Sequence, residues 1–240
     1  MAIEYQPLYI LSSGMLFQQR KLDTITNNLA NVDTPSFKRD LVLASLWETP
    51  MGQRVADTDP QNPNNNFLYP IIERVFSDLS QGPIKQTFNP LDLAIEGEGF
   101  FAVRRGQEVL YTRKGNFRLD RDGFLVNELG YRVLDQNLEE IRLEGQPTFG
   151  KDGSVFVNNV QVATIGLFRL QNPQKVGRDL FLGQPQLAEN FRVLQGYLEM
   201  SNVNPIIEMA NLIQTHRAHE TYSNLIRSLD SLYERFNQSF

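Results

Sequence analysis

Cysteine is absent from all 240 residues. That removes disulfides, thiolate-ligated zinc, iron–sulfur clusters and thiol nucleophiles together. Histidine is nearly absent, with only His216 and His219 in one short stretch, so a Ser-His-Asp triad or a three-histidine metal centre has little material to draw on. Basic residues are in deficit: 23 Lys and Arg stand against 28 Asp and Glu, a formal charge of −5. Nothing in that balance suits a polyphosphate partner, and nucleic acid is not expected. Long apolar runs are missing as well, Val162 to Phe168 being among the most apolar stretches, and a bilayer crossing by a helix needs about 18 to 20 such residues. Met1 to Pro7 lacks the basic start, apolar stretch and small-residue cleavage site of a secretory leader. Export, if it occurs, is therefore expected to use another route.

Helical periodicity is present at the two ends of the chain. Leu8, Leu11, Met15, Leu22, Ile25, Leu29 and Val32 recur at steps of three and four, with Gln18 the single polar member of the series. This is a heptad seam. Pro7 suits the first helical turn, and Asn27, Asn28, Asn31 and Pro35 weaken the far end, so the helix is expected to stop near Val32 or Asp33. A second seam runs through Leu212, Tyr222, Ile226, Leu229, Tyr233 and Phe236, interrupted by Thr215 and His219. Asn204 is a fitting N-cap, Pro205 a fitting first residue, and Glu208 complements the helix dipole. Buried apolar side chains contribute roughly 1.5 to 3 kcal/mol each, enough to hold such helices in a coiled coil.

The middle of the chain reads differently. Gly97-Glu98-Gly99, Lys114-Gly115-Asn116, Asp122-Gly123, Leu129-Gly130, Asp152-Gly153 and Asn158-Asn159 punctuate short apolar and β-branched runs, a hairpin pattern. The expected class is α+β: terminal helices forming a coiled coil around a central antiparallel all-β domain. The expected divisions are residues 1–33 for the first helix, 34–70 for an extended or loop-rich connector, 71–193 for the β-domain, and 194–240 for a return segment and last helix. The second half of the connector carries Pro50, Pro60, Pro63 and Pro70, hence its assignment.

Chemical alternatives are weak. His216 and His219 share a helical face, but two ligands do not make a metal site. Asp120-x-Asp122-Gly123 lacks the remaining ligands of a calcium loop and reads as a turn. Gly97-x-Gly99 is followed by Phe100-Phe101 rather than by a helix start, so no phosphate cradle is indicated. Carboxylate pairs such as Glu96 with Glu98 or Glu139 with Glu140 could in principle serve a glycosidase, but chance proximity is expected among 28 acidic residues. No catalytic residue, metal ligand or cofactor is expected.

Three stretches carry a resemblance. Asn27-Asn28-Leu29-Ala30-Asn31-Val32-Asp33-Thr34-Pro35-Ser36-Phe37-Lys38-Arg39 resembles the N-terminal signature of the axial rod and hook proteins of the bacterial flagellum. Leu93 to Val103, with Gly97, Gly99 and Phe100, followed by Gly115, Phe117 and Gly123, resembles the opening of that family's β-domain. Gln195-Gly196-Tyr197-Leu198-Glu199-Met200-Ser201-Asn202-Val203-Asn204 resembles the lead into its last helix. Two positions depart from the pattern: Ser36 stands where glycine is usual and His219 where an aromatic residue is common. The length of the chain, and the lack of a Gly-x-Gly-Val phrase ahead of the β-domain, resemble the proximal-rod branch first and the distal-rod branch second.

The resemblance implies a structural subunit of the basal-body rod, not an enzyme. Its terminal helices would pack with those of neighbours into a hollow shaft that transmits torque. The implied partners are copies of itself, other rod and hook proteins, and the flagellar export apparatus during secretion without a cleaved leader. The implied location is the periplasmic rod, with no membrane insertion and no nucleic acid. A chain exported unfolded into an oxidising space is also well served by having no cysteine. The alternative from a different class is a free-standing β-rich carbohydrate-binding or hydrolytic module with a helical dimerisation stalk.

Overall fold

The computed structural model describes residues 6–48, 68–177 and 179–238. The chain divides into two units. One comprises residues 1–30, 40–76 and 204–240; the other comprises residues 31–39 and 77–203.

The first unit contains helix α1 (Gln6–Ala30), strands β1 (Asp40–Glu48) and β2 (Leu68–Ser77), which pair as a two-stranded ribbon, and helix α2 (Pro205–Gln238). The capping of α2 follows its sequence: the Asn204 side chain accepts hydrogen bonds from the Ile206 and Ile207 amides at 3.1 and 3.3 Å, and its carbonyl accepts from Glu208 at 3.0 Å. With 34 residues α2 is about 51 Å long. Helices α1 and α2 pack on each other, and Gly14 is the point of close approach. A Cβ there would lie 2.6 Å from the Tyr222 ring.

Two features of this unit differ from the sequence reading. Helix α1 ends at Ala30. Residues 31–33 form a turn instead, closed by the Thr34 amide donating to the Asn31 carbonyl at 3.1 Å, so the asparagines break the helix two or three residues earlier than the apolar pattern implied. The expected connector also contains strand β1 and the first three residues of β2, most of which falls in the stretch expected for the β-domain but belongs to the first unit up to Phe76. Asp40-Leu41-Val42-Leu43-Ala44-Ser45-Leu46-Trp47-Glu48 mixes apolar residues on both parities, so neither the two-residue nor the 3.6-residue period stands out. The proline-rich portion from 49 to 67 lies outside the described residues.

The second unit is a β-domain whose ladders, among the described residues, are antiparallel. Its strands are β3 (Ile84–Gln86), β4 (Leu93–Gly97), β5 (Phe100–Arg105), β6 (Glu108–Thr112), β7 (Arg118–Leu119), β8 (Leu125–Val126), β9 (Arg132–Val133), β10 (Pro147–Phe149), β11 (Ser154–Val157), β12 (Val160–Thr164), β13 (Leu167–Lys175), β14 (Leu180–Leu187), β15 (Phe191–Gln195) and β16 (Tyr197–Glu199). The main sheet has the order β13-β14-β6-β5-β9-β8-β7. A further β13–β5 pairing closes β13, β14, β6 and β5 into a ring, which removes their free edges. A three-stranded meander, β10-β11-β12, and the pairs β15–β4 and β16–β3 complete the domain.

The core forms as two clusters on opposite faces of β5, as the two-residue period of a strand requires. Phe101 points into one, meeting the edge of Phe117 at 5.1 Å among Leu93, Ile95 and Leu125. Phe100 points into the other, packing on Phe181 at 5.4 Å beside Tyr111 and Phe168. The Phe100-Phe101 doublet thus serves both cores at once.

Candidate functional site

The three signature segments converge inside the β-domain. Ser36, Phe37 and Lys38 are buried, and each reaches a residue remote in sequence. The Lys38 ammonium lies 2.6 Å from Glu199 Oε1 and donates to the Ser80 carbonyl, also at 2.6 Å. Glu199 Oε2 accepts from Arg113 Nε at 2.9 Å, and Oε1 accepts from the Gly82 amide at 2.9 Å. Lys38 and Glu199 are 1% and 0% exposed, so this cation–carboxylate–cation group is sealed from water. Burial of the ammonium pushes the Lys38 pKa down, against the opposing pull of Glu199.

The guanidinium of Arg113 explains the two glycines of the second signature. It donates to the carbonyls of Gly97 and Gly99 at 2.9 and 2.6 Å and to that of Ile95 at 3.3 Å. Those carbonyls turn inward because Gly97 and Gly99 have φ of +100° and +140°, values that glycine tolerates. Gly115 has a different reason, since a Cβ there would stand 1.8 Å from the Leu93 carbonyl oxygen.

Asn202 clamps the third segment to the first. Its side-chain oxygen accepts from the Arg39 amide at 2.8 Å, while its amide group donates to the carbonyls of Asp78 and Ser80 at 2.9 and 3.1 Å. Phe37 is covered by the Lys175 ammonium, 4.4 Å from the ring centre. Gly196, at φ +79°, accepts from the Thr87 amide at 2.8 Å, and Gly123, at φ +83°, sits in the β7–β8 hairpin where Asp120 accepts from the Asp122 and Phe124 amides. Ser201 and Val203 are buried.

In the first unit Asn28 is buried and pairs like a strand residue: its side chain donates to the Asp40 carbonyl and accepts from the Asp40 amide, both at 2.9 Å. Ile25 is 5% exposed. Leu8, Leu11, Met15, Leu22 and Leu29 on α1, and Leu212, Tyr222, Ile226, Leu229 and Tyr233 on α2, are half-buried. Val32, also half-buried, falls in the turn after α1 and belongs to the second unit. The side chain of Phe236 lies outside the described set. Ile206, Met209, Ile213, Leu225 and Leu232 on α2 are exposed and extend the apolar surface beyond the seam. His216 pairs with Glu220 at 3.5 Å, and Thr215 is buried.

Comparison with known proteins follows the same segments. Residues 8–38 match the family described as "Flagella basal body rod protein", residues 94–169 the D1 domain of the flagellar hook protein FlgE/F/G, and residues 194–239 the C-terminal region of the flagellar basal-body rod FlgEFG proteins. A flagellar basal-body rod protein FlgF from Caulobacter vibrioides is 34% identical over 230 residues, 91% of each chain. The chain belongs to the flagellar basal-body rod and hook protein family. Both rod branches are represented among its relatives: FlgG proteins from Buchnera aphidicola subsp. Schizaphis graminum and from Bacillus subtilis are each 30% identical, covering 96% and 95% of this chain and 98% and 96% of their own. As a member of a structural rod family, the protein is not an enzyme.

The sequence reading missed the rod protein's central ion group. Arg113 lies between Val103 and Gly115 of the second signature and Glu199 within the third, yet nothing in their spacing, 86 residues apart, marks them as partners.

Proposed function

We propose that this chain is a structural subunit of the flagellar basal-body rod that polymerises through α1 and α2 into the hollow shaft carrying torque from motor to hook. The observation that supports this best is the similarity to rod proteins across the whole chain, at both terminal helices as well as the β-domain. The heptad seams add a physical reason. Half-buried apolar side chains on both helices, with more exposed on α2, leave apolar surface for a neighbour to cover. A coiled-coil arrangement of these helices with those of adjacent subunits would bury it, and a head-to-tail contact that does not close yields an open helical assembly.

In this reading the seam residues are the assembly interface and the ion group holds the signature segments in one conformation. The partners are copies of the chain and other rod and hook proteins, reached after passage through the flagellar export apparatus. The place is the periplasmic part of the basal body, and the proximal rod is favoured over the distal by chain length. The carbohydrate-binding or hydrolytic module is disfavoured, since whole-chain relatives are rod proteins.

The test is substitution in the seam. Leu22→Asp or Ile226→Asp is expected to abolish swimming and remove the chain from purified basal bodies, while far-ultraviolet dichroism and thermal unfolding of the β-domain stay unchanged. Normal swimming in both variants would overturn the seam assignment, and absence of the unmodified chain from basal bodies would overturn the rod reading itself.

A further inference from the structure

Among the described residues two bulky apolar side chains stand on left-handed backbone, Leu138 at φ +63° and Phe88 at φ +62°. For a non-glycine residue that conformation is strained. Leu138 has compensation, because it is half-buried against the Phe100, Tyr111 and Phe168 cluster. Phe88 has none of that kind: it is 80% exposed, the most exposed of the large apolar residues described. Its backbone is nonetheless held in place, since the Thr87 and Phe88 amides both donate to the Gly196 carbonyl, at 2.8 and 3.2 Å. The fold fixes a strained aromatic residue pointing into water. Strain of this sort is maintained where the surrounding structure serves a function.

Phe88 lies in the turn between β3 and β4. At the other ends of the same two strands, roughly 20 Å away at the rise of an extended chain, the β-domain has a cleft of 410 Å³ lined by Leu79, Gln81, Gly97, Phe100, Arg169 and Leu170 among others. Gln81 ties that end together, accepting from the Gly97 amide at 3.1 Å and donating to the Ile95 carbonyl at 3.4 Å. Phe100 and Leu170 give the cleft an apolar floor. Arg169 stands at its mouth, paired with Glu98 at 3.3 Å while both remain largely exposed. A solvated pair of this kind is worth little, so the guanidinium is free to lie over an incoming ring.

We propose that Phe88 of one subunit inserts into the Leu79, Phe100 and Leu170 cleft of a second copy of this chain. The proposal rests on the rod reading and adds to it a contact in the β-domain, separate from the helices. Knob and cleft lie at opposite ends of the β3–β4 segment, whose strands pair with β16 and β15 rather than with each other, so each copy presents the knob to one neighbour and the cleft to another. Such a contact is heterologous and propagates without closing. Aromatic anchors in pockets are also where binding energy concentrates.

The test uses full-length chain in the native host, with p-benzoyl-phenylalanine at position 88 keeping an aromatic ring there and the same residue at exposed position 160 as control. After irradiation of purified basal bodies, position 88 is expected to give a cross-linked dimer whose peptides join it to residues 79–81, 97–100 or 169–170; position 160 is not. Two results overturn the proposal while leaving the rod reading intact: the chain is present in basal bodies but position 88 gives no dimer, or it joins another region or another protein. A chain absent from basal bodies at both positions overturns the rod reading and this inference with it. Separately, Phe88→Gly is expected to raise the unfolding midpoint of the isolated chain and reduce the swimming halo at least twofold. A raised midpoint with full swimming also overturns the contact.

Discussion

Lys38 and Glu199, 161 residues apart, form a 2.6 Å ion pair inside the β-domain, and Arg113 completes the group from the carboxylate's other oxygen. The pair joins the end of the N-terminal signature to the middle of the C-terminal one. A buried pair gains from Coulomb attraction about what desolvation costs, so its net contribution is small; removing one partner is a different matter. Glu199→Gln leaves two sealed cations without a counter-charge and is expected to cost about 3 to 5 kcal/mol. Lys38→Met leaves the carboxylate to Arg113 and the Gly82 amide, and is expected to cost less. Urea titration of both variants checks the order, and equal losses would show that the group does not act through charge.

That group also shows how far the sequence carries. Helix α2 was legible to its first residue because Asn204, Pro205 and Glu208 are local instructions, each acting within a turn. The hairpin at Asp120 to Gly123 was legible for the same reason. Strand β1 was not, since its apolar residues follow no period, and neither was the Lys38, Arg113 and Glu199 group, whose members meet only where residues 31–39, the end of β6 and the end of β16 come together. Ile25 sat in a readable seam and is buried; Gly14, which lets Tyr222 approach, carried no apolar signal at all. Local chemistry writes itself in order along a chain, whereas contacts between remote segments do not.

Asp179 supplies a pH-dependent term. Its carboxyl is buried, which raises its pKa above the ordinary carboxylate value of 3.8, with Lys114 at 3.9 Å opposing the shift. A raised value means the folded chain binds the proton before the unfolded chain does. The cost of the buried charge is therefore present in full above the folded pKa and is relieved as pH falls through that value toward 3.8. Asp179→Asn is expected to raise the thermal midpoint at pH 7, with the gain shrinking as the pH is lowered to 4. Lys114 keeps its pairing with Glu128 in the variant, so no orphan cation confuses the reading. A gain that is constant with pH would assign the effect to packing.

Ser36 occupies left-handed backbone at φ +57°, which accounts for the glycine usual at this place in the rod family. The strain is on the order of 1 to 2 kcal/mol for a residue with a Cβ. Against it, the hydroxyl donates to the Arg113 carbonyl at 2.9 Å and lies 3.3 Å from the Glu199 carbonyl, contacts that a glycine cannot make. A buried hydrogen bond contributes a net of about 0.5 to 1.5 kcal/mol, so the two effects nearly cancel. Ser36→Gly is accordingly expected to change stability by less than about 1 kcal/mol. Ser36→Ala keeps the strain and loses the hydroxyl, and is expected to cost about 1 to 2 kcal/mol. Denaturant midpoints of the parent and the two variants decide the matter: an alanine variant as stable as the parent would show that the hydroxyl's bond contributes nothing, and alanine equal to glycine would show that the left-handed backbone carries no strain.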